Sequence, residues 1–130
     1  MLRKIGYGVV VWAVPYVTAL ALMDLMTTDR VAFQTVMIVE GALVGSLLTW
    51  QYFRTVTAHP LREGVVLATV WLLISWTFDF VALVPFAGMS AWRYFVEIGF
   101  RYLGMFALPV TVGAVLGSRI DRRVELRTAA

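Results

Sequence analysis

The sequence predicts an all-α protein, a bundle of four transmembrane helices that run up and down in turn. Two observations lead to this prediction. The 130-residue chain is 61% hydrophobic and 15% charged, with a mean hydropathy of +0.82, which is typical of integral membrane proteins. Its apolar residues also form four long runs, each near the roughly 20 residues that a helix needs to cross the hydrocarbon layer.

Short polar segments separate these runs and set the expected helix boundaries. We expect the four helices at about 5–26, 31–53, 62–84 and 91–117, followed by a charged cytoplasmic tail at 118–130, all in one domain. Pro15 falls inside the first helix, where it removes a backbone hydrogen bond and predicts a kink. Ser90 precedes the fourth helix and is a candidate N-cap.

The N-terminus, MLRK followed by apolar residues, also fits the beginning of a signal peptide. The apolar run from Ile5 to Met23 is long enough to span a bilayer. We therefore expect it to be retained as the first helix.

The distribution of basic residues predicts the orientation. Eight of the eleven Lys and Arg residues flank one side of the predicted bundle: Arg3, Lys4, Arg54, Arg62, Arg119, Arg122, Arg123 and Arg127. Cytoplasmic flanks of membrane helices carry such an excess of positive charge. We expect a multi-pass protein of the cell inner membrane with both termini in the cytoplasm.

Composition excludes several kinds of site. The chain has no cysteine, which excludes disulfides, thiolate metal sites, iron–sulfur clusters and cysteine nucleophiles. The single histidine, His59, excludes bis-histidine haem ligation within one subunit. We expect no cofactor, and no nucleic-acid partner, because the basic residues lie at membrane edges. The pattern leaves open whether a metal binds.

Asp79 is the anomaly of the sequence, because it is the only charge in the apolar run from Gly64 to Phe86. It lies about 24 Å along a helix from Glu63, within a hydrocarbon core about 30 Å thick. A carboxylate at this depth costs about 2.5–3.5 kcal/mol on insertion scales, unless it is protonated, paired or hydrated.

A weak internal repeat relates the two halves of the chain. Gly8-Val-Val-Val in the first helix matches Gly64-Val-Val-Leu in the third, and Asp24 then corresponds to Asp79. Glu40 and Glu97 fall at comparable places in the second and fourth helices. This pattern suggests two tandem helical hairpins of the same orientation.

All four of these acids are expected in the outer part of the membrane, with Glu40 and Asp79 about 8–13 Å below the interface. Charges in membrane helices face the bundle interior, so we expect them to share a pocket. Helical spacing predicts one inward stripe on the third helix and one on the fourth: Ala68, Trp71, Ser75, Asp79 and Ala82, and Tyr94, Glu97, Arg101, Gly104, Leu108 and Thr111.

This layer is the predicted functional site. Its candidate ion-binding residues are Asp79, Glu40, Glu97, Arg101, Asp24, Ser75 and Tyr102. Glu97 precedes Arg101 by four residues, the favoured order for a helical ion pair. Arg101 would modulate the acids, so the layer could exchange a proton or bind a small cation. The structural alternative is a polar cluster in which Arg101 neutralises one acid, tyrosine hydroxyls and tryptophan N–H groups satisfy another, and the remaining acids reach interfacial water.

Three functions follow from these readings. The first is a small transporter or channel-like protein for protons or small cations. The second is a non-catalytic accessory or assembly subunit of a larger membrane complex. The third is a membrane-embedded enzyme acting on lipid through a divalent metal, although no motif indicates catalysis specifically. On balance the sequence favours a protein that is not an enzyme.

Two small-xxx-small motifs predict close helix contacts. They are formed by Gly41 with Gly45 and by Gly113 with Gly117. Such motifs pack helices within a chain or against a partner. Besides the lipid bilayer, we expect a second copy or a partner membrane subunit to contact these glycines.

The region from Gly64 to Gly113 resembles a group of small four-span membrane proteins of bacteria and archaea. The shared pattern comprises Trp71, Asp79, a Pro-Phe-x-Gly-Met-Ser turn, and Tyr94 through Glu97, Gly99, Arg101 and Tyr102. The resemblance implies a four-helix membrane fold and no particular activity.

Overall fold

The structure, a computed structural model, describes residues 1–88 and 90–128. Their helices are α1 (Leu2–Ala21), α2 (Met23–Thr28), α3 (Arg30–Phe53), α4 (Pro60–Phe78), α5 (Val84–Ala87), α6 (Ala91–Glu97) and α7 (Tyr102–Thr128). A π-helix at Asp79–Leu83 joins α4 to α5, and a 3₁₀-helix at Gly99–Arg101 precedes α7.

Four helical stretches are long and apolar enough to cross a membrane: Leu2–Ala21, Arg30–Phe53, Pro60–Ala82 and Ala91–Ile120. Successive stretches run in opposite directions, so the predicted all-α, four-helix bundle is confirmed. α4 packs against α1 and α7, and α3 packs against the same two helices from the other side. α1 and α7 are therefore one diagonal pair of a square bundle, and α3 and α4 are the other.

Local sequence explains where the helices begin. The Asp29 carboxylate accepts a hydrogen bond from the Ala32 N–H at 3.0 Å and caps α3. The Ser90 hydroxyl accepts from the Arg93 N–H at 3.3 Å, which confirms the predicted cap of α6. Pro60 occupies the first turn of α4, where its missing N–H costs nothing.

The observed helices differ from the predicted ones mainly in their interruptions and in the tail. The first stretch breaks at Leu22, the third becomes a π-helix at Asp79, and the fourth breaks at Ile98. α7 continues from the membrane segment to Thr128, because residues 118–128 include four helix-forming Arg residues and contain no Gly or Pro. Met89, in the predicted turn, and residues 129–130 of the tail lie outside the described residues.

Glycines allow α4 and α7 to approach closely. A Cβ on Gly64 would lie 2.3 Å from the Pro109 carbonyl oxygen, and one on Gly113 would lie 2.5 Å from the Pro60 carbonyl oxygen. Neither oxygen can move away without moving its helix, because both belong to the backbone. The two backbones are therefore in direct contact, and no larger residue fits at either position.

The glycines of both small-xxx-small motifs are covered by helices of the same chain. On α3, Gly41 faces Met105 and Gly45 faces Leu108. On α7, Gly117 meets Pro60 as Gly113 does. These contacts lie within one chain, and the expected contact of these glycines with a second copy or a partner subunit stays a prediction.

A polar cluster joins α1, α3 and α4 at the end of the bundle where the chain begins, which we call the basic end. Lys4 pairs with Glu63 at 2.9 Å, and the Tyr52 hydroxyl donates to the same carboxylate. Arg3 donates to the Tyr52 carbonyl at 2.9 Å and to the Thr55 hydroxyl at 2.5 Å. The cluster fixes the first turn of α1 against the α3–α4 link.

We predict that Gly64→Ala lowers the stability of the bundle, because its Cβ would overlap the Pro109 carbonyl. Overpacking of this kind typically costs about 1–3 kcal/mol. Thermal unfolding in detergent measures the effect. Gly104→Ala is the matched control, since no atom lies within 4 Å of a Cβ at that helical position. Equal melting temperatures for the two variants would contradict the close packing of α4 on α7.

Candidate functional site

The site is centred on Asp79, the residue at which α4 becomes a π-helix. Its side chain is 2% exposed. A carboxylate removed from solvent in this way must find hydrogen-bond donors or a counter-ion within the protein. No ion pair among the described residues involves Asp79.

Three neutral donors satisfy the carboxylate instead. The Trp12 Nε1–H donates to Oδ1 at 2.7 Å. The hydroxyls of Tyr94 and Tyr102 both donate to Oδ2 at 2.8 Å. The donors come from α1, α6 and α7, so one side chain at the end of α4 joins four helical segments.

Aromatic packing holds two of these donors in place. The Trp12 ring stacks on Tyr16 with centroids 4.6 Å apart and meets the edge of Phe78 at 4.8 Å. Tyr94 is fully buried and packs against Phe80 at 5.1 Å. The indole and phenol groups are therefore oriented before they bind the carboxylate, which lowers the entropy cost of the hydrogen bonds.

Two departures from α-helical geometry meet at the level of Asp79. The π-helix begins at Asp79 itself, while the 3₁₀-helix at Gly99–Arg101 lies between Tyr94 and Tyr102. The Trp76 Nε1–H, in the last turn of α4, donates to the Gly99 carbonyl at 3.3 Å and joins α4 to the 3₁₀-helix just before the π-helix begins. Residues eight apart are about 12 Å apart along a regular helix, yet both tyrosines reach the same carboxylate oxygen.

A small cavity adjoins the site on the side of the basic end. Its volume is about 10 Å³, and its lining includes Trp71, Ser75 and Tyr102. Trp71 is 2% exposed, and its Nε1 has no hydrogen-bond partner in the described structure. A cavity of this size, with at least two polar groups in its wall, is just large enough for one water molecule.

The other predicted acids do not share the pocket of Asp79. The Thr18 hydroxyl donates to Glu40 Oε1 at 2.6 Å between α1 and α3, and Glu40 Oε2 is buried without a partner among the described residues. Glu97 pairs with Arg30 and with Arg93, both at 2.8 Å. Asp24 is exposed on α2. The expected common layer is thus corrected to separate sites with separate partners.

Arg101 lies on the surface and forms none of the described hydrogen bonds or ion pairs with Asp79 or Glu97. The expected Glu97–Arg101 pair assumed an unbroken helix. The helix breaks at Ile98, whose φ and ψ are −130° and −55°, so the regular four-residue spacing no longer applies.

The break also changes which residues face inward. Beyond it, the inward residues of α7 include Tyr102, Met105, Pro109 and Gly113, while the predicted Arg101, Gly104 and Thr111 are exposed. On α4, the predicted face is buried at Ala68, Trp71, Ser75 and Asp79.

Two of the three groups that bind Asp79 were not predicted in that role. Trp12 fits the general pattern of membrane aromatics, and Tyr94 was placed on the inward stripe without a role. One signal was available for Trp12, which lies eight residues inside the span from Lys4. An indole N–H at that depth needs a hydrogen-bond acceptor, and acceptors are few inside a membrane.

The described residues contain no group of three or more His, Asp or Glu side chains that could hold a metal ion. Comparison with known protein families, curated proteins and solved structures finds no match to this chain.

We predict that Tyr94→Phe destabilises the bundle by about 1–3 kcal/mol, the usual cost of removing one partner of a buried polar group. Tyr7→Phe, at the basic end, is the matched control and should have a much smaller effect. Combining Tyr94→Phe with Asp79→Asn forms a double-mutant cycle. Unfolding energies that simply add would show that the hydroxyl and the carboxylate do not interact.

Proposed function

We propose that this protein is a small membrane transport protein in which Asp79 takes up and releases a proton. One observation carries the proposal: a buried carboxylate is held by three neutral hydrogen-bond donors, and no cation that the structure describes is paired with it. Ionisable groups at such depth commonly serve ion pathways and proton relays.

Both protonation states of Asp79 fit this arrangement. The ionised carboxylate accepts all three hydrogen bonds. When Oδ2 is protonated, it can donate to the Tyr102 oxygen, and the Tyr102 hydroxyl can turn toward the cavity that Ser75 and Trp71 line. A phenol can both donate and accept a hydrogen bond, so protonation of Asp79 reverses only the hydrogen bond with Tyr102. The hydrogen bond from the Trp12 indole to Oδ1 stays intact.

The same geometry favours a proton over a metal cation. Hard cations require several oxygen ligands with free lone pairs directed at them. Here an N–H and two O–H groups already point at the carboxylate oxygens, and an indole nitrogen offers no lone pair. Binding a cation would break these bonds, whereas binding a proton rearranges only one of them.

The helix interruptions support a transport role. Non-α geometry is frequent at functional sites, and broken helices line the binding sites of many transporters. The π-helix and the 3₁₀-helix adjoin at Asp79 and Tyr102. With the basic end in the cytoplasm, Asp79 would lie about 24 Å from Glu63, nearer to the outer face.

We predict that wild-type protein in proteoliposomes conducts protons when a potassium diffusion potential is applied, and that Asp79→Asn abolishes the flux. A pH-sensitive dye inside the vesicles measures the rate. Asp24→Asn is the matched control, because that acid is exposed on α2, and it should leave the rate unchanged.

Two further results decide between function and structure. If wild-type vesicles remain tight to protons, the transport proposal fails. Asp79 would then have a purely structural role, joining the helices. That outcome would favour the second function, a non-catalytic accessory subunit. Because Asp79→Asn could lose flux through misfolding, Tyr102→Phe should also lower the flux while giving the same monodisperse elution profile as the wild type.

We also predict that Ser75→Val reduces proton flux severalfold, because it removes a hydroxyl from the cavity beside Tyr102 and fills part of its volume. Thr69→Val, an exposed hydroxyl on the same helix, is the control. Equal rates for the two variants would exclude the cavity from the proton path.

A further inference from the structure

A larger cavity lies between α3 and α7 at the basic end, remote from Asp79. Its volume is about 330 Å³, within the range of small-ligand sites. Most of its wall is apolar, with Phe53, Leu108, Val112 and Leu116 among the lining residues. We call it the α3/α7 groove.

Two polar features are built into this groove. The Thr49 side chain is 2% exposed, lines the groove, and has a buried Oγ1 with no hydrogen-bond partner in the described structure. Arg54, also in the lining, places its guanidinium 4.9 Å from the centroid of the Trp50 ring. An unpaired buried hydroxyl is costly unless a ligand or water satisfies it.

The spacing of these groups indicates the chemistry of the ligand. Thr49 and Arg54 are five residues apart, about 7.5 Å along the α3 axis. A glycerophospholipid carries its phosphate and its ester carbonyl a few ångströms apart, followed by an apolar chain. The guanidinium suits the phosphate, the hydroxyl suits the ester oxygen, and the apolar wall suits the acyl chain.

We propose that the α3/α7 groove is a binding site for one anionic glycerophospholipid of the leaflet at the basic end. Arg54 contacts the phosphate, Thr49 donates to an ester carbonyl, and the acyl chain lies along Leu108 and Val112. The site is independent of proton transport at Asp79.

Charge favours a lipid over a second copy of the chain. A symmetric dimer through this groove would place the same basic end of each copy side by side. Arg54 would then approach the like charges of the other copy, which is unfavourable. An anionic lipid instead supplies the opposite charge.

The test uses the purified full-length chain in detergent, titrated with phosphatidylglycerol or phosphatidylcholine and examined by native mass spectrometry. We expect the wild type to bind one phosphatidylglycerol about tenfold more tightly than Arg54→Gln does, the loss that one charge-assisted hydrogen bond commonly causes. Thr49→Val, which keeps the side-chain shape, should weaken both lipids. Arg62→Gln, also at the basic end but outside the groove, is the control.

Filling the groove provides a second measurement. Ser46→Trp, at an exposed position of the groove lining, should displace the lipid without lowering the melting temperature of lipid-free protein. Equal binding of both lipids by the wild type, Arg54→Gln and Thr49→Val would indicate only a non-specific lipid annulus and would overturn the proposal. A lipid-free dimer that Ser46→Trp disrupts would also overturn it, because a second copy would then occupy the groove.

Discussion

The structure depends on how a carboxylate is kept inside an apolar bundle without a counter-ion. Asp79 accepts hydrogen bonds from an indole and two phenols, each from a different helical segment. Such a cluster is stable only if every donor is held in position, since an unpaired member would cost more than an apolar core. This requirement explains the aromatic packing around Trp12 and Tyr94. It also explains why the helices are irregular where the donors converge.

Direct contact between helix backbones holds the donors of Asp79 in position. Gly64 and Gly113 bring α4 against α7 at the basic end, and the Lys4–Glu63 pair fixes α1 beside them. With one end tightly packed, the irregular segments are confined to the other end. The proposed proton site therefore lies where the helices can adjust, while the proposed lipid site lies beside the rigid contacts.

The sequence alone predicted the fold well because hydrophobic length and polar caps are local properties. The four helices, the cap at Ser90 and the buried face of α4 are all confirmed. The common acid layer was predicted from distances along ideal helices. That prediction did not hold where the fourth helix departs from ideal geometry. The adjacent Gly99 is the one local signal of the break at Ile98, and a single glycine does not by itself end a helix, so the change of phase that exposes Arg101 could not be predicted from spacing. Asp79 was identified as the anomaly and Tyr102 as a site residue, whereas Trp12 and Tyr94 were recognised as donors only from the arrangement of the helices.

The central claim is that Asp79 exchanges a proton while the bundle stays folded. Infrared difference spectroscopy of the protein in lipid, recorded across the pH range in which it remains folded, tests this directly. The account predicts a protonated-carboxyl band that grows as the pH falls and is absent in Asp79→Asn. A carboxyl that remains either ionised or protonated throughout this range, in the wild type, would contradict it.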